Sequence, residues 1–251
     1  MSWVQGIIFA GLNCPFECTM RSCLITFILS LLSLSFTWGQ VPHIKPNSII
    51  TIPDRSKAEY DKLYARYDET LDKEVERILE NDAFYQEIYS PGANSWWWYG
   101  NTVSVRASSC LLPSSKSSYQ AENAFDTNHD TAWVEGIEGQ GIGEYLEYEF
   151  AGGYPRITTV KIMNGYAKND RAWRENSRVK KLKMYYQGKP YAILDLQDSR
   201  SLQSFDVGKL GPHDEKAPNW TLRFEILEVY EGDKYDDTVI SELFFDGIDV
   251  H

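Results

Sequence analysis

The chain has 251 residues and sets 36 Asp and Glu against 25 Lys and Arg, a formal net charge of −11. That balance, with no Lys/Arg run, suits phosphate backbones poorly and argues against nucleic acid as a partner. Aromatic residues make up 14 %, a density that either fills the core of an all-β domain or stacks on flat apolar ligand faces.

In chain order, Met20-Arg21 precedes an apolar run, Leu24–Trp38, followed by Gly39-Gln40. A short positive region, an apolar region and a small residue describe a secretory signal. The run falls short of the roughly 20 residues that cross a bilayer as a helix. Residues 1–39 therefore read as a signal peptide, with Met20 an alternative start, and an uncleaved membrane anchor as the competing reading. The expected location is secreted, periplasmic or at the cell envelope. Cys14, Cys18 and Cys23 lie in or before this segment, which leaves Cys110 alone in the mature chain. A lone Cys forms no internal disulfide, and with no histidine nearby as a base it reads as a half-buried small residue rather than a nucleophile.

Residues 40–53 hold three prolines and no periodicity, and read as a linker. Residues 54–90 differ. Tyr60, Tyr64, Tyr67, Leu71, Val75 and Ile78 recur at the three-and-four spacing of one amphipathic helix. Ser56 with Glu59 makes a capping box, and Pro91-Gly92 ends the run. Glu74/Arg77 and Glu69/Lys73 place charge pairs on the solvated side. The apolar stripe must bury against the following domain or another chain, so an oligomer through this helix is one expectation. Residues 54–100 close with NSWWWYG (Asn94–Gly100). Its three Trp serve either as a platform for a sugar ring or lipid interface, or as a clasp docking the helix.

From Thr102 the pattern turns to short β-type runs: Thr102–Ala107, Tyr145–Phe150, Ile157–Met163, Lys181–Tyr186, Tyr191–Leu196, Leu202–Val207, Trp220–Val229 and Thr238–Asp246. Leu182, Met184 and Tyr186 share one face of their run, as do Leu222, Phe224 and Ile226 of theirs. Such alternation between turns predicts a two-sheet β-sandwich or jelly roll over 101–251.

Between the first two of these runs lies AENAFDTNHDTAW, Ala121–Trp133, where Asp126, Asn128 and Thr131 follow a D-x-N-x-x-T pattern. Asp and Asn favour turns, and a turn that converges two or three oxygens suits a hard cation. Calcium takes six to eight oxygens, so a distant acid must help, and Glu242 in the last run is the candidate. The alternative is an Asx-rich loop holding no metal.

Taken together, the WVEG, GIGEY, NGYAK and NSR-x-KK blocks and the D-x-N-x-x-T-x-W turn resemble the F5/8 type C (discoidin-like, galactose-binding) superfamily. The resemblance is to the branch seen as the translocation, glycan-binding module of NAD glycohydrolase. It spans about Val103–Val250. It implies an all-β, eight-stranded discoidin-like jelly roll preceded here by the helix. In many members it also implies a structural Ca2+, whose ligands fall on the side chains of Asp126, Asn128, Thr131 and Glu242 and the backbone carbonyls of Asn123 and Ser241.

Catalysis needs a positioned acid, base or nucleophile. His43, His129, His213 and His251 lie in no recognisable nucleophile context. Gly139-Gln-Gly141-Ile-Gly143 lacks the lysine and the following helix of a phosphate loop, and Glu135, Glu138 and Glu144 read as ordinary loop acids rather than a glycosidase pair. Binding is the better case, because sugar sites pair an aromatic face with planar donors and carboxylates. The loop after Ile157–Met163 offers Tyr166, Lys168, Trp173, Asn176 and Arg178, with Trp133 and Glu135 as second choices. The expected function is a secreted, non-catalytic glycan-binding protein using loops at one end of a β-sandwich. The competing class is a structural or assembly protein, with the helix docking or oligomerising and the β domain as scaffold.

Overall fold

The computed structural model describes residues 41–90, 102–115, 117–153 and 155–249. The signal expected over 1–39 and the NSWWWYG segment lie outside them. All eight runs expected as strands are strands: β3 (Thr102–Ala107), β5 (Tyr145–Phe150), β6 (Ile157–Asn164), β7 (Ser177–Tyr186), β8 (Lys189–Asp195), β9 (Ser201–Leu210), β10 (Trp220–Tyr230) and β11 (Thr238–Gly247). Three short strands join them, β1 (His43–Ile44), β2 (Ser48–Thr51) and β4 (Trp133–Val134).

The order β2-β9-β6-β11 continues into β7-β10-β5-β3. β11 runs antiparallel to β6 along most of its length but touches β7 only at Thr238↔Ser177 and Val239↔Arg178, in parallel. That short parallel contact hinges two sheets into a sandwich of jelly-roll type. Alternation along the strands builds its interior: Val160, Ile162, Phe205 and Phe245 from one sheet meet Leu182, Met184, Leu222 and Phe224 from the other. Each such side chain contributes about 1.5–3 kcal/mol on burial. Phe224 and Phe245 lie 6.0 Å apart across the interior, and Tyr148 meets Phe245 edge-on at 5.0 Å.

The N-terminal segments depart from expectation in two ways. Residues 40–53 read as a linker, yet β1 pairs in parallel with β8 and β2 antiparallel with β9. The prolines do not prevent this because Pro42, Pro46 and Pro53 fall outside the paired residues. Proline lacks an N–H but keeps its carbonyl, and the Pro42 carbonyl accepts from the Ile193 N–H.

The single helix expected over 54–90 is three: α1 (Lys57–Thr70), α2 (Lys73–Glu80) and α3 (Ala83–Ile88). Ser56 and Glu59 form the expected capping box at the start of α1. Leu71 then turns left-handed at φ 49°, and Asp72 caps α2 by accepting from the Glu74 and Val75 N–H groups. Asp82 caps α3 through the Tyr85 N–H. An Asp that caps a new helix offers the backbone an alternative to continuing the old one, so the two acids divide the run. Arg77 pairs with Glu74 as expected, whereas Glu69 and Lys73 fall on either side of the break.

These helices lie on the outer face of the first sheet. Tyr60, Val75, Leu79, Phe84, Tyr85 and Ile88 pack with Met163, Leu202 and Phe244. Phe244 faces the helices while its neighbours Leu243 and Phe245 belong to the sandwich interior. Of the expected stripe, Tyr60 and Val75 are buried against the chain's own β domain, whereas Tyr64 and Leu71 are exposed, and residues 40–251 form one unit.

Candidate functional site

Two loop systems carry the chemistry, and the first is the turn between a 3₁₀ turn at Ala121–Ala124 and β4. The Asn128 N–H donates to Asp126 Oδ1 at 2.9 Å and to Glu242 Oε1 at 2.5 Å. Thr131 Oγ1 donates to Asp126 Oδ2 at 2.8 Å and to the Asn128 carbonyl at 2.8 Å. The structure therefore brings together Asp126, Asn128, Thr131 and Glu242, residues that span more than a hundred positions. Thr127 adopts φ 56° to close the turn.

Glu242 is fully buried, and its Oε2 has no hydrogen-bond partner. Burial, then the neighbouring Asp126 carboxylate, pushes its pKa well above the usual carboxylate range. A bare carboxylate oxygen facing a second carboxylate calls for a proton or a cation between them. An all-oxygen set of this kind fits a hard cation such as calcium. Among the described residues no third Asp, Glu, His or Cys joins the pair, so amide, hydroxyl and carbonyl oxygens would complete the shell. The Asn123 and Ser241 side chains are committed elsewhere: Asn123 Nδ2 donates to the Ser118 and Ala132 carbonyls, and Ser241 Oγ accepts from the Ala167 N–H.

The same turn grips the helical layer on its other side. His129 is fully buried, donating from Nε2 to the Arg55 carbonyl at 2.9 Å while Nδ1 accepts from the Tyr89 hydroxyl at 2.5 Å. Burial lowers its pKa, which fits the neutral ring these two bonds require. Asp130 Oδ2 accepts from the Lys57 N–H at 3.0 Å, at the positive start of α1. In this turn His129 is buried, Asn128, Asp130 and Thr131 are half-buried, and Asp126 is exposed.

The second system gathers the loops at the hinge end of the sandwich into a cleft of about 390 Å³. Tyr119, Tyr166 and Tyr235 supply aromatic walls, and Glu175, Asn176 and Asp237 supply polar ones. Leu111 and Val134 make the base apolar. A helix α4 (Asp170–Glu175), capped by Asn169 Oδ1 accepting from the Ala172 N–H, presents Glu175 and leads into Asn176. Asn176 Nδ2 donates to the Ala172 carbonyl. Tyr235 is 42 % exposed, with Lys234 Nζ over its ring at 4.5 Å.

Of the residues expected to bind ligand, Tyr166 and Asn176 line this cleft. Lys168 is exposed and outside the lining. Trp173 donates its indole N–H to the Asn164 carbonyl, and Arg178 covers its ring at 4.6 Å. Arg178 is itself 7 % exposed, held by Asp198 and the Asn176 and Glu231 carbonyls. Gly165, at φ 79°, sits where a Cβ would meet Arg178 and Trp173 at 2.5 and 2.9 Å, so this packing demands glycine.

The two second choices are corrected. Trp133 is fully buried in the sandwich interior with its N–H on the Ser109 carbonyl at 2.9 Å. Glu135 is fully buried too, accepting from the Thr238 N–H at 3.1 Å and the Ile137 N–H at 3.0 Å, and burial raises its pKa. Gly141 wraps closely over it, with space for a Cβ only 2.4 Å from the Glu135 side chain. Both residues brace loops and offer no surface to a ligand. Cys110 is half-buried, and burial pushes its thiol up, as a quiet structural cysteine requires.

Sequence reasoning passed over Tyr119, Glu175 and Asp237. Tyr119 sits in a Ser-rich stretch without periodicity. Glu175 ends a helix only six residues long, too short for a periodic signal. The Tyr235-Asp236-Asp237 run before β11 was the one signal pointing to that wall.

Residues 96–246 match the sequence profile of the NAD glycohydrolase translocation F5/8 type C domain. Among solved structures the chain is similar to the CBM32-1 and CBM32-2 domains of Clostridium perfringens ZmpB, at 12 % identity and a TM-score of 0.45, over 81 % of this chain and 41 % of that one. The same two domains in complex with GalNAc give 12 % and 0.45, over 81 % and 39 %. CBM32-3 from a family 31 glycoside hydrolase of Clostridium perfringens gives 15 % and 0.43, over 61 % of this chain and 93 % of that one. The chain thus spans less than half the length of the ZmpB structures it matches. A search of the curated proteins found no match.

Proposed function

The chain belongs to the NAD glycohydrolase translocation F5/8 type C domain family, and from that premise we propose that it is an exported, non-catalytic protein that binds glycans in the loop-end cleft. The observation that carries this is the composition of the cleft itself, three tyrosines beside Glu175, Asn176 and Asp237. Tyrosine rings cover the apolar C–H face of a pyranose at low entropic cost, while the carboxylates and the amide read its hydroxyls. Glu135 is locked into two backbone hydrogen bonds, and Glu144 accepts from the Ser108 and Ser109 hydroxyls.

A structural Ca2+ between Asp126 and Glu242 belongs to the same proposal. It would satisfy the bare Glu242 Oε2 and tie the first long loop to β11. The scaffold-and-oligomer reading draws on the helices, but their main apolar face is committed to the sheet of the same chain. The test is a glycan array probed with the mature chain in calcium. Wild type retains a defined set of glycans, and Tyr166→Ala loses at least about tenfold, the size of one well-packed aromatic contact. A blank array from folded, calcium-replete protein overturns the reading.

A further inference from the structure

Resting on the glycan-binding reading, we infer that the loop-end cleft selects its ligand by charge. It takes sugars that are neutral or carry an ammonium group and rejects sugars that carry a carboxylate. Glu175 and Asp237 both line the cleft, and no lining residue is Lys or Arg. Arg178 does not neutralise Asp237: it forks onto Asp198, with two N···O distances of 3.1 Å. Among the described residues Asp237 has no salt bridge. Of the nearby cations, Arg171 pairs with Glu175 while its own side chain stays 79 % exposed, and Lys234 lies on the Tyr235 ring.

Hydrogen-bond capacity points the same way. Carboxylates only accept, and Asn176 Nδ2 already spends one of its two donors on the Ala172 carbonyl. This polar wall therefore needs donors. Sugar hydroxyls and ammonium groups donate, whereas a uronate or sialate carboxylate brings two more acceptors and a like charge. Burial, followed by the Asp236 charge, already pushes Asp237 up, so a bound cation relieves that wall and a bound anion worsens it. Half-buried charges are screened less by salt than exposed ones, so the discrimination persists at physiological ionic strength.

The experiment uses the mature chain in calcium on an array holding neutral, amine-bearing and carboxylated glycans. It is followed by calorimetric titration of the strongest neutral binder and its 6-carboxylate and amino counterparts. The carboxylated sugar is expected to bind at least about tenfold more weakly than the neutral parent, and the amino sugar at least as tightly. Asp237→Asn narrows that spread by about tenfold, and Glu175→Gln, made in parallel in case the first variant folds poorly, narrows it in the same direction. Carboxylated sugars binding as well as their parents, or a spread unchanged in both folded variants, overturns the charge selection alone. An array blank for every class overturns the glycan reading and this inference with it.

Discussion

The turn at Asp126–Thr131 and the loop-end cleft both carry Asp and Asn, yet they have different characters. In the turn, Asp126, Asn128 and Thr131 bond one another and Glu242, and His129 and Asp130 bond the helical layer. In the cleft, Tyr235 is open to solvent, and Asp237 stays half-buried with no salt bridge among the described residues. The difference lies in what packs over each loop. α1 and α3 hold the turn through Asp130 and His129, and Glu242 holds it from within β11, while at the cleft Tyr235 stays exposed. Acidic turn chemistry by itself is neutral between support and recognition, and burial decides which role it takes.

That contrast breaks most readily at Glu242. Removing a fully buried, hydrogen-bonded carboxylate leaves the Asn128 N–H without one of its acceptors and opens a cavity, and such changes cost several kcal/mol. Glu242→Ala is expected to lower unfolding free energy by about 3 kcal/mol in urea titrations. A loss below about 0.5 kcal/mol, the size of an ordinary surface change, would show that the turn is not the support described here. Calcium gives the next largest effect. At a hundredfold excess over its dissociation constant a single ion adds about 2.7 kcal/mol, which raises the melting temperature by roughly 5–10 °C for a chain of this size. EDTA should abolish the increase, and Glu242→Gln should not show it; an identical shift in that variant would move the ion to another site.

A smaller effect concerns pH and Glu135. Its folded pKa is raised above the ordinary 4.5 by burial. The unfolded chain thus releases this proton first as pH rises, and the contribution of Glu135 is full below about pH 4.5 and lost as pH climbs through its folded value. Glu135→Gln is expected to flatten that decline in unfolding free energies measured across the range, and an unchanged pH slope would contradict the buried, proton-holding role. The smallest stability effect belongs to the cleft. Tyr235→Ala and Asp237→Asn should each stay within about 0.5 kcal/mol of wild type, since Tyr235 is exposed and Asp237 only half-buried.

Much of the fold was legible in the sequence because strand alternation is a local signal. Leu182, Met184 and Tyr186, or Leu222, Phe224 and Ile226, declare a face without any knowledge of their partners. The link from the turn to Glu242 was legible because calcium-type chemistry demands a distant acid, and the turn and β11 do meet. The division of the helical run was written locally as well, in Asp72 and Asp82, but a long three-and-four stripe concealed two N-caps. Trp133 and Glu135 failed as ligand residues because adjacency to a loop does not say which way a side chain points. The cleft was the least legible part, since its walls come from three separate loops and β4, which only the folded sandwich brings together.

The central claim is that recognition resides in the loop-end cleft and support in the cross-bonded turn. The most direct measurement pairs glycan affinity with unfolding free energy for Tyr235→Ala in calcium, using the strongest binder of the wild-type chain. The account predicts at least a tenfold loss of affinity, with stability unchanged within about 0.5 kcal/mol. Undiminished affinity in a variant of unchanged stability would contradict it.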